Sequence, residues 1–377
     1  MIWSIYRLSR KYDYLIVGAG LYGATFAQQA ARSNKTSLVI DKRNHIGGNC
    51  YTEKRENDID VHVYGCHIFN TDKKYVWDYI RQFAEFNNYR HTGKVNYNGK
   101  IYSFPINLMT LQQVWGVITP QEAIAKINQS KIKIPNPQNV EDWCLSHIGQ
   151  ELYEIFIKGY TAKQWGVAPD KLPASIIKRL PVRFCYDENY YHDNSYQGIP
   201  VNGYTSMIEN LLDDPKIQVD LNRDFSQIVN DWEAYANRLI YCGPIDVFFN
   251  YKFGKLDYRS LRWEHEFLDI NDYQGSSVIN YTSENPKYTR IIEHKHFCNL
   301  GQKGTIISKE FPMNCEFDEE RYYPINNKES YDRYQKYRSL AKQNKNILFS
   351  GRLGKFKYLD MDDCIALAIK EENVSSK

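Results

Sequence analysis

The chain has 377 residues, of which 42% are hydrophobic and 25% are charged, and its formal net charge at pH 7 is +3. These values are typical of a soluble globular protein of two or three domains. A net charge so close to zero argues against a general nucleic-acid-binding protein, which would carry a strong basic excess. No apolar run approaches the roughly 18 residues of a membrane-spanning helix. We therefore expect neither nucleic acid as a partner nor insertion into a membrane.

The eight cysteines lie too far apart to form a CxxC pair, so the sequence predicts neither a metal site nor a dithiol redox motif. The first eleven residues are too short and too interrupted by cations to form a secretory signal. We therefore expect a cytoplasmic protein with reduced thiols. Aromatic residues make up 15% of the chain and include 31 tyrosines. They either pack in the core or form a wall for a flat ligand.

The N-terminal segment predicts a strand–turn–helix–strand unit. Residues 13–17 are a short apolar run typical of a buried strand, the alanine-rich residues 24–32 predict a helix, and residues 36–40 predict a second strand. A unit of about 30 residues has the size expected of a βαβ motif.

The middle of the chain is mostly helical in pattern, from about residue 72 to residue 212. Helices are predicted at 73–86, 120–128 and 140–158, and a hairpin is predicted at 93–105, with its turn at Asn98-Gly99. Further strands are predicted at 216–221, 238–241, 277–281 and 305–311. Residues 346–369 predict a strand, a turn and a final helix.

This alternation predicts an α/β protein with a Rossmann-like domain assembled from both chain ends. We assign residues 11–71, 200–245 and 340–370 to that domain. A mainly helical substrate domain with a mobile loop is expected at 72–180. An antiparallel sheet domain that lines the substrate pocket is expected at 181–199 and 246–339.

The turn after the first strand carries the spacing of a dinucleotide-binding fingerprint, Gly18-x-Gly20-x-x-Gly23. The first glycine permits the tight turn, the second lets the backbone approach a pyrophosphate, and the third lets the helix pack on the strand. The helix N-terminus offers free N–H groups to the phosphates. Asp41 ends the second strand, where a carboxylate can accept ribose hydroxyls. Tyr22 lies within the same turn and is included among the predicted cofactor-binding residues.

The fingerprint alone does not separate NAD from FAD. Gly47-Gly48 follows the second strand soon after a basic residue and resembles the second flavin contact of flavoproteins with two dinucleotide-binding domains. Gly351-Arg352, followed by 358–362, resembles the returning loop and helix that close over the flavin in such proteins. Together these segments favour FAD.

Several segments resemble the bacterial UDP-galactopyranose mutases. They are Gly47-Gly48-Asn49, 62–69 (HVYGCHIF), 104–107 (FPIN), 158–166 (KGYTAKQWG), 172–184 (LPASIIKRLPVRF), 288–295 (YTRIIEHK), 322–324 (YYP) and 351–362 (GRLGKFKYLDMD). The similarity extends from about residue 11 to about residue 368. Matches this widely distributed are far more specific than the glycine fingerprint.

The resemblance implies a reaction, the ring contraction of UDP-galactopyranose to UDP-galactofuranose, without net oxidation of the substrate. It implies FAD that must be reduced by a cellular flavin reductant, so that flavin N5 can attack the anomeric carbon as UDP leaves. It also implies a homodimer and a supply of furanose sugar to bacterial cell-surface polysaccharide. The sequence leaves open whether UDP-N-acetylgalactosamine is accepted as well.

Departure and return of UDP require cations that hold a diphosphate. Arginine suits this task because its planar guanidinium binds phosphate oxygens bidentately and stays charged. The resemblance assigns this catalytic and substrate-binding role to Arg179, on a loop that closes over UDP in the family, and to Arg290. Glu310 also matches a family position, but no chemical role is assigned to it.

The resemblance also implies the other contacts. For the cofactor it adds Gly48, Asn49, His67, Ile68, Phe225, Arg352, Leu359, Asp360 and Met361. For the substrate it implies His91, Phe156, Tyr160, Thr161, Trp165, Tyr190, Asn280, Tyr323 and Tyr358. His67 is given no role as a general base, and Asp360 has the alternative of capping the final helix. On a continuous α-helix, Phe156 and Tyr160 would share one face.

Three residues depart from the family pattern. Cys66 stands where a proline or alanine is usual and Asn70 where a histidine is common; both lie beside the flavin segment, which leaves the sugar specificity open. His91 stands at a position where the resemblance implies an asparagine in contact with the nucleotide.

Two alternatives to a mutase remain. The first alternative is a flavin oxidoreductase of the amine-oxidase type. The second is a binding protein that has lost catalysis, which the retention of both arginines argues against.

Overall fold

The computed structural model describes residues 11–177, 182–298, 301–316, 319–325 and 327–375. Its strands are β1 (Tyr12–Val17), β2 (Ser37–Ile40), β3 (Thr52–Lys54), β4 (Asp60–His62), β5 (Phe69–Thr71), β6 (Gly93–Tyr97), β7 (Lys100–Phe104), β8 (Tyr196–Gly198), β9 (Ile217–Asp220), β10 (Ala236–Tyr241), β11 (Tyr258–Leu268), β12 (Val278–Tyr281), β13 (Arg290–Glu293), β14 (Thr305–Asn314), β15 (Tyr323–Pro324) and β16 (Ile347–Phe349). Its helices are α1 (Leu21–Arg32), α2 (Lys74–Ile80), α3 (Leu108–Trp115), α4 (Pro120–Ser130), α5 (Val140–His147), α6 (Gln150–Tyr153), α7 (Gly159–Trp165), α8 (Gly203–Leu212), α9 (Trp232–Tyr235), α10 (Ile245–Phe248), α11 (Lys295–Cys298), α12 (Lys328–Ala341), α13 (Gly351–Gly354) and α14 (Met361–Ser375). Within these described ranges, no helix combines the length and the apolar character needed to cross a bilayer.

A parallel sheet of five strands, in the order β16-β10-β1-β2-β9, forms the centre of the first unit. Alternate residues of its strands enter different cores: Ile16 and Ile240 pack beneath α1, α8 and α14, whereas Leu15 and Leu239 face a second core that includes Trp232. Strands buried on both faces are characteristic of parallel sheets covered by helices. The sheet contains β1 and β16, which come from opposite chain ends. The predicted α/β class, with a Rossmann-like domain assembled from both chain ends, is confirmed.

A second sheet has the order β15-β11-β14-β13-β12-β6-β7. Its pairs are antiparallel except for β12 with β6. The predicted hairpin forms β6 and β7, with Asn98 at φ 51° and Gly99 at φ 84°, as a tight hairpin turn of this sequence requires. These two strands come from the range assigned to the helical domain, so that range also supplies one edge of the sheet. The domain boundaries themselves stay a prediction.

The helical unit contains α3 to α7 around its own apolar core. The helix predicted at 140–158 is interrupted at Gly149, whose φ of 82° lies outside the helical range. A Cβ at this position would lie 2.5 Å from the carbonyl oxygen of Ser130, so the chain turns where only glycine fits. After α6, residues 154–158 form a π-helical turn that leads into α7.

Two contacts fasten α7 to the second sheet. The Lys163 ammonium donates to the carbonyl oxygens of Tyr281, Pro286 and Tyr288 at 2.8, 2.9 and 2.9 Å. At the start of the helix, a Cβ on Gly159 would lie 2.2 Å from the carbonyl oxygen of Thr282. The close approach therefore depends on the missing side chain of Gly159, and it sets the distance between the helical unit and the sheet.

We expect Gly159→Ala to lower the free energy of unfolding by about 1–3 kcal/mol, the usual cost of overpacking. Alanine would gain at most about 1 kcal/mol in helix propensity, which is less than the cost of separating two backbones. Urea denaturation measures the difference. The control is Gly301→Ala, because a Cβ there meets no atom within 4 Å among the described residues. Equal stability of the two variants would contradict the close-packing argument.

Candidate active site

A cavity of about 600 Å³ opens at the carboxyl ends of β1 and β2, the edge at which open α/β sheets bind their ligands. Every residue predicted to bind the cofactor lies in its wall. They are Gly18, Gly20, Tyr22, Gly23, Asp41, Gly48, Asn49, His67, Ile68, Phe225, Arg352, Leu359, Asp360 and Met361. The structure thus brings this set together, while the role of each residue stays a prediction.

The floor of the cavity consists of two glycine turns in contact. A Cβ on Gly23 would lie 2.0 Å from the carbonyl oxygen of Gly18, and a Cβ on Gly48 would lie 3.0 Å from the Cα of Gly20. The amide of Gly47 donates to the carbonyl oxygen of Ala19 at 2.9 Å, which joins the turns. These positions therefore accept only glycine, and none of them contributes a side chain to the cavity.

The electrostatic features of the floor favour a phosphate beside a ribose. Helix α1 begins after Gly20 without a side-chain cap, so its first N–H groups are free for an anion. The two carboxylate oxygens of Asp41 accept from the backbone amides of Ala19 and Arg43, at 2.8 and 3.0 Å. These bonds hold the carboxylate in place and leave it lone pairs for further donors.

A charged group on one side of the cavity went unpredicted. The guanidinium of Arg43 donates to Glu320 at 2.7 Å and to the amide oxygen of Asn49 at 3.0 Å, and Lys42 pairs with Glu320 at 3.2 Å. Burial opposes the charge of Arg43, but Glu320 more than compensates and raises its pKa. Position 43 was visible only as a basic residue near Gly47-Gly48, and its partner is 277 residues away in sequence.

Tyr22 contributes its ring to the cavity rather than a free hydroxyl. Its phenol donates to Glu371 of α14 at 2.7 Å, and the same carboxylate receives Lys355 at 2.8 Å. Burial, together with Glu371, raises the pKa of Tyr22 well above its usual value. The hydroxyl therefore serves to join α1 to α14.

Arg352 also lies in the cavity wall. One guanidinium nitrogen donates to the carbonyl oxygen of Tyr322 at 2.8 Å, and the group lies 4.8 Å from the ring centroid of Tyr358. Within the described ranges, its buried Nε has no hydrogen-bond partner. A buried N–H without a partner costs about 1–3 kcal/mol, and a polar ligand atom in the cavity would remove that cost.

His67 has one ring nitrogen committed to the backbone. Its Nδ1 lies 2.7 Å from the carbonyl oxygen of Gly65, and because a carbonyl only accepts, Nδ1 carries the hydrogen. Burial lowers the pKa of His67 to about 4, while the Gly65 carbonyl acts in the opposite direction. The ring is therefore neutral at pH 7.

Beside the cavity, a half-buried arginine is paired with a buried glutamate across the second sheet. Arg290 on β13 stands opposite Glu310 on β14, with 3.2 Å between Nε and a carboxylate oxygen. Its Nη2 donates to the hydroxyl of Tyr160 on α7. Burial acts against the charge, but Glu310 outweighs it and raises the pKa of Arg290 well above its ordinary value. Glu310, which has no role assigned from the sequence, is itself buried and is the counter-ion of Arg290.

Arg290, Glu310 and Tyr160 form what we call the arginine group. Cys66 and two tyrosines connect the arginine group with the cavity. Cys66 lies in the cavity wall, where burial raises the pKa of its thiol and the neighbouring Arg290 acts to lower it. The rings of Tyr323 and Tyr358 are 5.9 Å apart. Tyr358 lines the cavity, while Tyr323 interacts electrostatically with Arg290. The arginine group and the cavity therefore adjoin.

The remaining predicted substrate contacts lie in three places. Asn280 stands beside Arg290 on the neighbouring strand, and the ring of Tyr190 lies 5.4 Å from that of His91. Phe156 and Trp165 pack with the apolar core of the helical unit. The assumption of one continuous α-helix was wrong, because Phe156 lies in the π-helical turn.

Two further predicted residues are simply located. Thr161 is buried on α7. Arg179, predicted as a catalytic residue, lies outside the described residues.

Comparisons with known proteins give the relatives of this chain. A family model described as UDP-galactopyranose mutase matches residues 155–358, and one described as an NAD(P)-binding Rossmann-like domain matches residues 16–83. A probable UDP-galactopyranose mutase of Klebsiella pneumoniae is 46% identical over 362 residues, which cover 95% of this chain and 93% of that protein. A dTDP-fucopyranose mutase of Escherichia coli is 42% identical over 364 residues, which cover 94% of this chain and 96% of that protein.

Among solved structures, a crystal structure of reduced UDP-galactopyranose mutase matches with a TM-score of 0.75 at 13% sequence identity. The match covers 97% of this chain and 95% of that chain. At so low an identity the likeness concerns the fold, and it agrees with the Rossmann-like α/β architecture described above.

Several histidines are buried in the neutral form. Burial lowers the pKa of His62 to about 3, with a smaller effect of His67. Burial also lowers the pKa of His91 to about 3, with a smaller effect of Arg290. An unfolded chain protonates its histidines near pH 6.5. Below that pH the unfolded state binds more protons, so the free energy of unfolding falls as the pH decreases.

We expect His62→Asn to flatten this pH dependence by about 2 kcal/mol between pH 7 and pH 5, the contribution of one histidine with a pKa this far below 6.5. Urea denaturation at the two pH values measures the slope. His147→Asn is the control, because His147 is exposed and should leave the slope unchanged. A slope for His62→Asn equal to that of the unsubstituted protein would contradict the neutral assignment.

Proposed function

This chain belongs to the UDP-galactopyranose mutase family of isomerases, and we propose that it interconverts the pyranose and furanose forms of a nucleotide sugar, with UDP-galactose as substrate. The observation that carries the proposal is the position of the half-buried Arg290, paired with Glu310, beside the dinucleotide cavity. A mutase needs a diphosphate-binding cation next to its cofactor, and the contacts through Cys66 and Tyr358 supply that neighbourhood.

The cofactor of the proposal is FAD. Three features of the cavity support it: glycine turns whose packing excludes any Cβ, the uncapped start of α1, and the buried Nε of Arg352, which lacks a partner in the described part of the chain. The fingerprint and Asp41 would hold the pyrophosphate and ribose, and residues 351–361 would close the other side. Reduced FAD supplies a nucleophilic nitrogen for the anomeric carbon of the sugar.

Arg290 would bind the diphosphate of the substrate and stabilise the negative charge that forms there when the anomeric bond breaks. Its guanidinium has five N–H donors, more than Tyr160 and Glu310 occupy. Because its pKa lies well above the ordinary value, the group remains charged throughout the reaction. Arg179 is proposed as the second cation from its sequence alone.

The tyrosines would orient the nucleotide sugar. Burial raises the pKa of Tyr160 to about 12, so this phenol keeps its proton and can donate to an oxygen of the substrate. The rings of Tyr190, Tyr323 and Tyr358 offer apolar surface that excludes water from the anomeric carbon.

The finer assignments extend the same proposal. We infer a cellular reductant for the flavin, a homodimer, a cytoplasmic location and delivery of the furanose sugar to a cell-surface polysaccharide. UDP-N-acetylgalactosamine remains a second candidate substrate. The relatives from Klebsiella pneumoniae and Escherichia coli are named for different nucleotide sugars, so the sugar has to be measured.

The test is conversion of UDP-galactofuranose by the purified protein, in reactions with and without dithionite. Chromatography measures the product. UDP-N-acetylgalactosamine and dTDP-fucopyranose are run in parallel. Conversion only after reduction is the expected result, and the ratio of the rates gives the sugar preference. A yellow, reducible protein that converts none of the three would overturn the proposal, and oxygen consumption with amines would then favour the amine-oxidase alternative.

We expect Arg290→Ala to lower kcat/KM by roughly 10²–10³-fold, as for other donors that stabilise charge in a transition state, because the diphosphate loses its cation. Arg290→Lys should recover only part of this loss, since an ammonium lacks the planar pair of donors. The flavin absorbance should be retained in both variants.

Arg262→Ala is the matched control. This arginine lies on β11 of the same sheet, but it is exposed and paired with Glu264. Its removal should leave kcat/KM unchanged. A similar loss of activity in both variants would indicate damage to the sheet rather than loss of a substrate contact.

A further inference from the structure

His91 is a buried side chain with one ring nitrogen available to a ligand. It is 7% exposed, and its ring lies 5.4 Å from that of Tyr190 and 6.1 Å from that of Tyr191. Tyr191 lines the cavity, and Arg290 is close enough to affect the pKa of the imidazole. His91 therefore lies where the arginine group and the cavity meet.

The other ring nitrogen belongs to a chain of buried polar groups. The Nδ1 atom of His91 lies 3.1 Å from the hydroxyl of Tyr89, and that hydroxyl is hydrogen-bonded to the hydroxyl of Ser277. Ser277 is itself buried. Among the described residues, Nε2 of His91 has no hydrogen-bond partner, although it belongs to a side chain that is more than nine-tenths buried.

The direction of these hydrogen bonds follows from donor satisfaction. If Ser277 donates to Tyr89, then Tyr89 donates to Nδ1 of His91, and both hydroxyl hydrogens are used. If Tyr89 donates to Ser277, the hydroxyl hydrogen of Ser277 is left without an acceptor in a buried position. An unsatisfied buried donor is costly, so the first direction is favoured, and it leaves the ring hydrogen on Nε2.

The neutral state of the ring supports this assignment. Burial lowers the pKa of His91 to about 3, and Arg290 acts in the same direction. Burial also raises the pKa of the Tyr89 hydroxyl, which keeps its proton for donation. A neutral imidazole has one N–H donor and one acceptor, so a nitrogen that accepts from Tyr89 fixes the hydrogen on the other nitrogen.

We propose that the Ser277–Tyr89–His91 chain holds His91 as a one-directional hydrogen-bond donor, Nε2–H, for a single oxygen substituent of the sugar. The inference rests on the proposed function, because it takes the ligand to be a nucleotide sugar. An asparagine at this position would offer both a donor and an acceptor. His91 offers only a donor, so the site selects a hydroxyl or acyl oxygen and discriminates against a sugar that lacks it.

The tautomer is measured by ¹⁵N NMR of the histidine-labelled protein with its cofactor bound. The signals of His91 are identified by their loss in His91→Phe. A hydrogen on Nε2, with Nδ1 accepting, is the expected result. Tyr89→Phe should mix the tautomers, because the donor to Nδ1 is gone, and Ser277→Ala should do so more weakly. A hydrogen on Nδ1 in the unsubstituted protein would overturn the proposal.

Monodeoxy analogues of the UDP-sugar test the recognition of the oxygen. One analogue should show a kcat/KM lower by roughly 10- to 100-fold, the effect of leaving a buried donor unpaired, and this penalty should disappear in His91→Phe. Tyr89→Phe should raise KM for the intact sugar and leave kcat nearly unchanged. Equal penalties for that analogue in the presence and absence of the imidazole would contradict the assigned contact.

Tyr79→Phe is the matched control, because it also removes a buried phenol hydroxyl. That hydroxyl donates to Gln28 at 3.0 Å, and neither residue lines the cavity. Its kinetics and the His91 signals should match those of the unsubstituted protein. An Nε2–H tautomer in a protein that interconverts no nucleotide sugar would refute the proposed function and the oxygen recognition built on it. An active enzyme with the Nδ1–H tautomer would refute the inference alone.

Discussion

The ion pair between Arg290 and Glu310 is the interaction on which the arrangement of the site depends. Glu310 is buried and Arg290 is half-buried. A buried carboxylate without a counter-ion would be unstable, so the pair favours β13 and β14 side by side with these two residues opposite each other. The same guanidinium donates to Tyr160, which fixes the approach of α7 to the sheet. It also neighbours Cys66 in the cavity wall. One charge therefore links the helical unit, the second sheet and the dinucleotide cavity.

The cavity and the neighbouring group around Arg290 are built in different ways. The dinucleotide cavity is built from backbone: glycine turns, a helix terminus and the ends of parallel strands. The neighbouring group is built from side chains whose charges and hydroxyls satisfy one another, as in the pairing of Arg290 with Glu310 and the contact of Tyr89 with Ser277. Larger side chains are therefore poorly tolerated at the glycine positions of the cavity. In the group around Arg290, changes in the polarity of a side chain are poorly tolerated.

The same division explains what could be predicted from the sequence. Gly18, Gly20 and Gly23 are constrained by local backbone geometry, so their spacing alone predicts the floor of the cavity and the Rossmann-like sheet. The partner of Arg43 is 277 residues away, and Tyr160 is 130 residues from Arg290. No local pattern encodes such pairs. They become visible only when the strands and helices are assembled, and the roles of Glu310 and Tyr89 could not be assigned before that.

The π-helical turn at 154–158 makes the position of Tyr160 depend on the number of residues in that turn. A π turn contains one residue more than an α turn. Each residue of α7 is therefore rotated by about 100° from the direction that a regular continuation of α6 would give it. Tyr160 reaches Arg290 because the turn contains this extra residue. The side chain of the extra residue plays no part in the rotation. The number of residues between Tyr153 and Gly159 is thus a determinant of the site in its own right. Deletion of one of these residues other than Phe156 would turn Tyr160 away while leaving every named contact residue in the sequence.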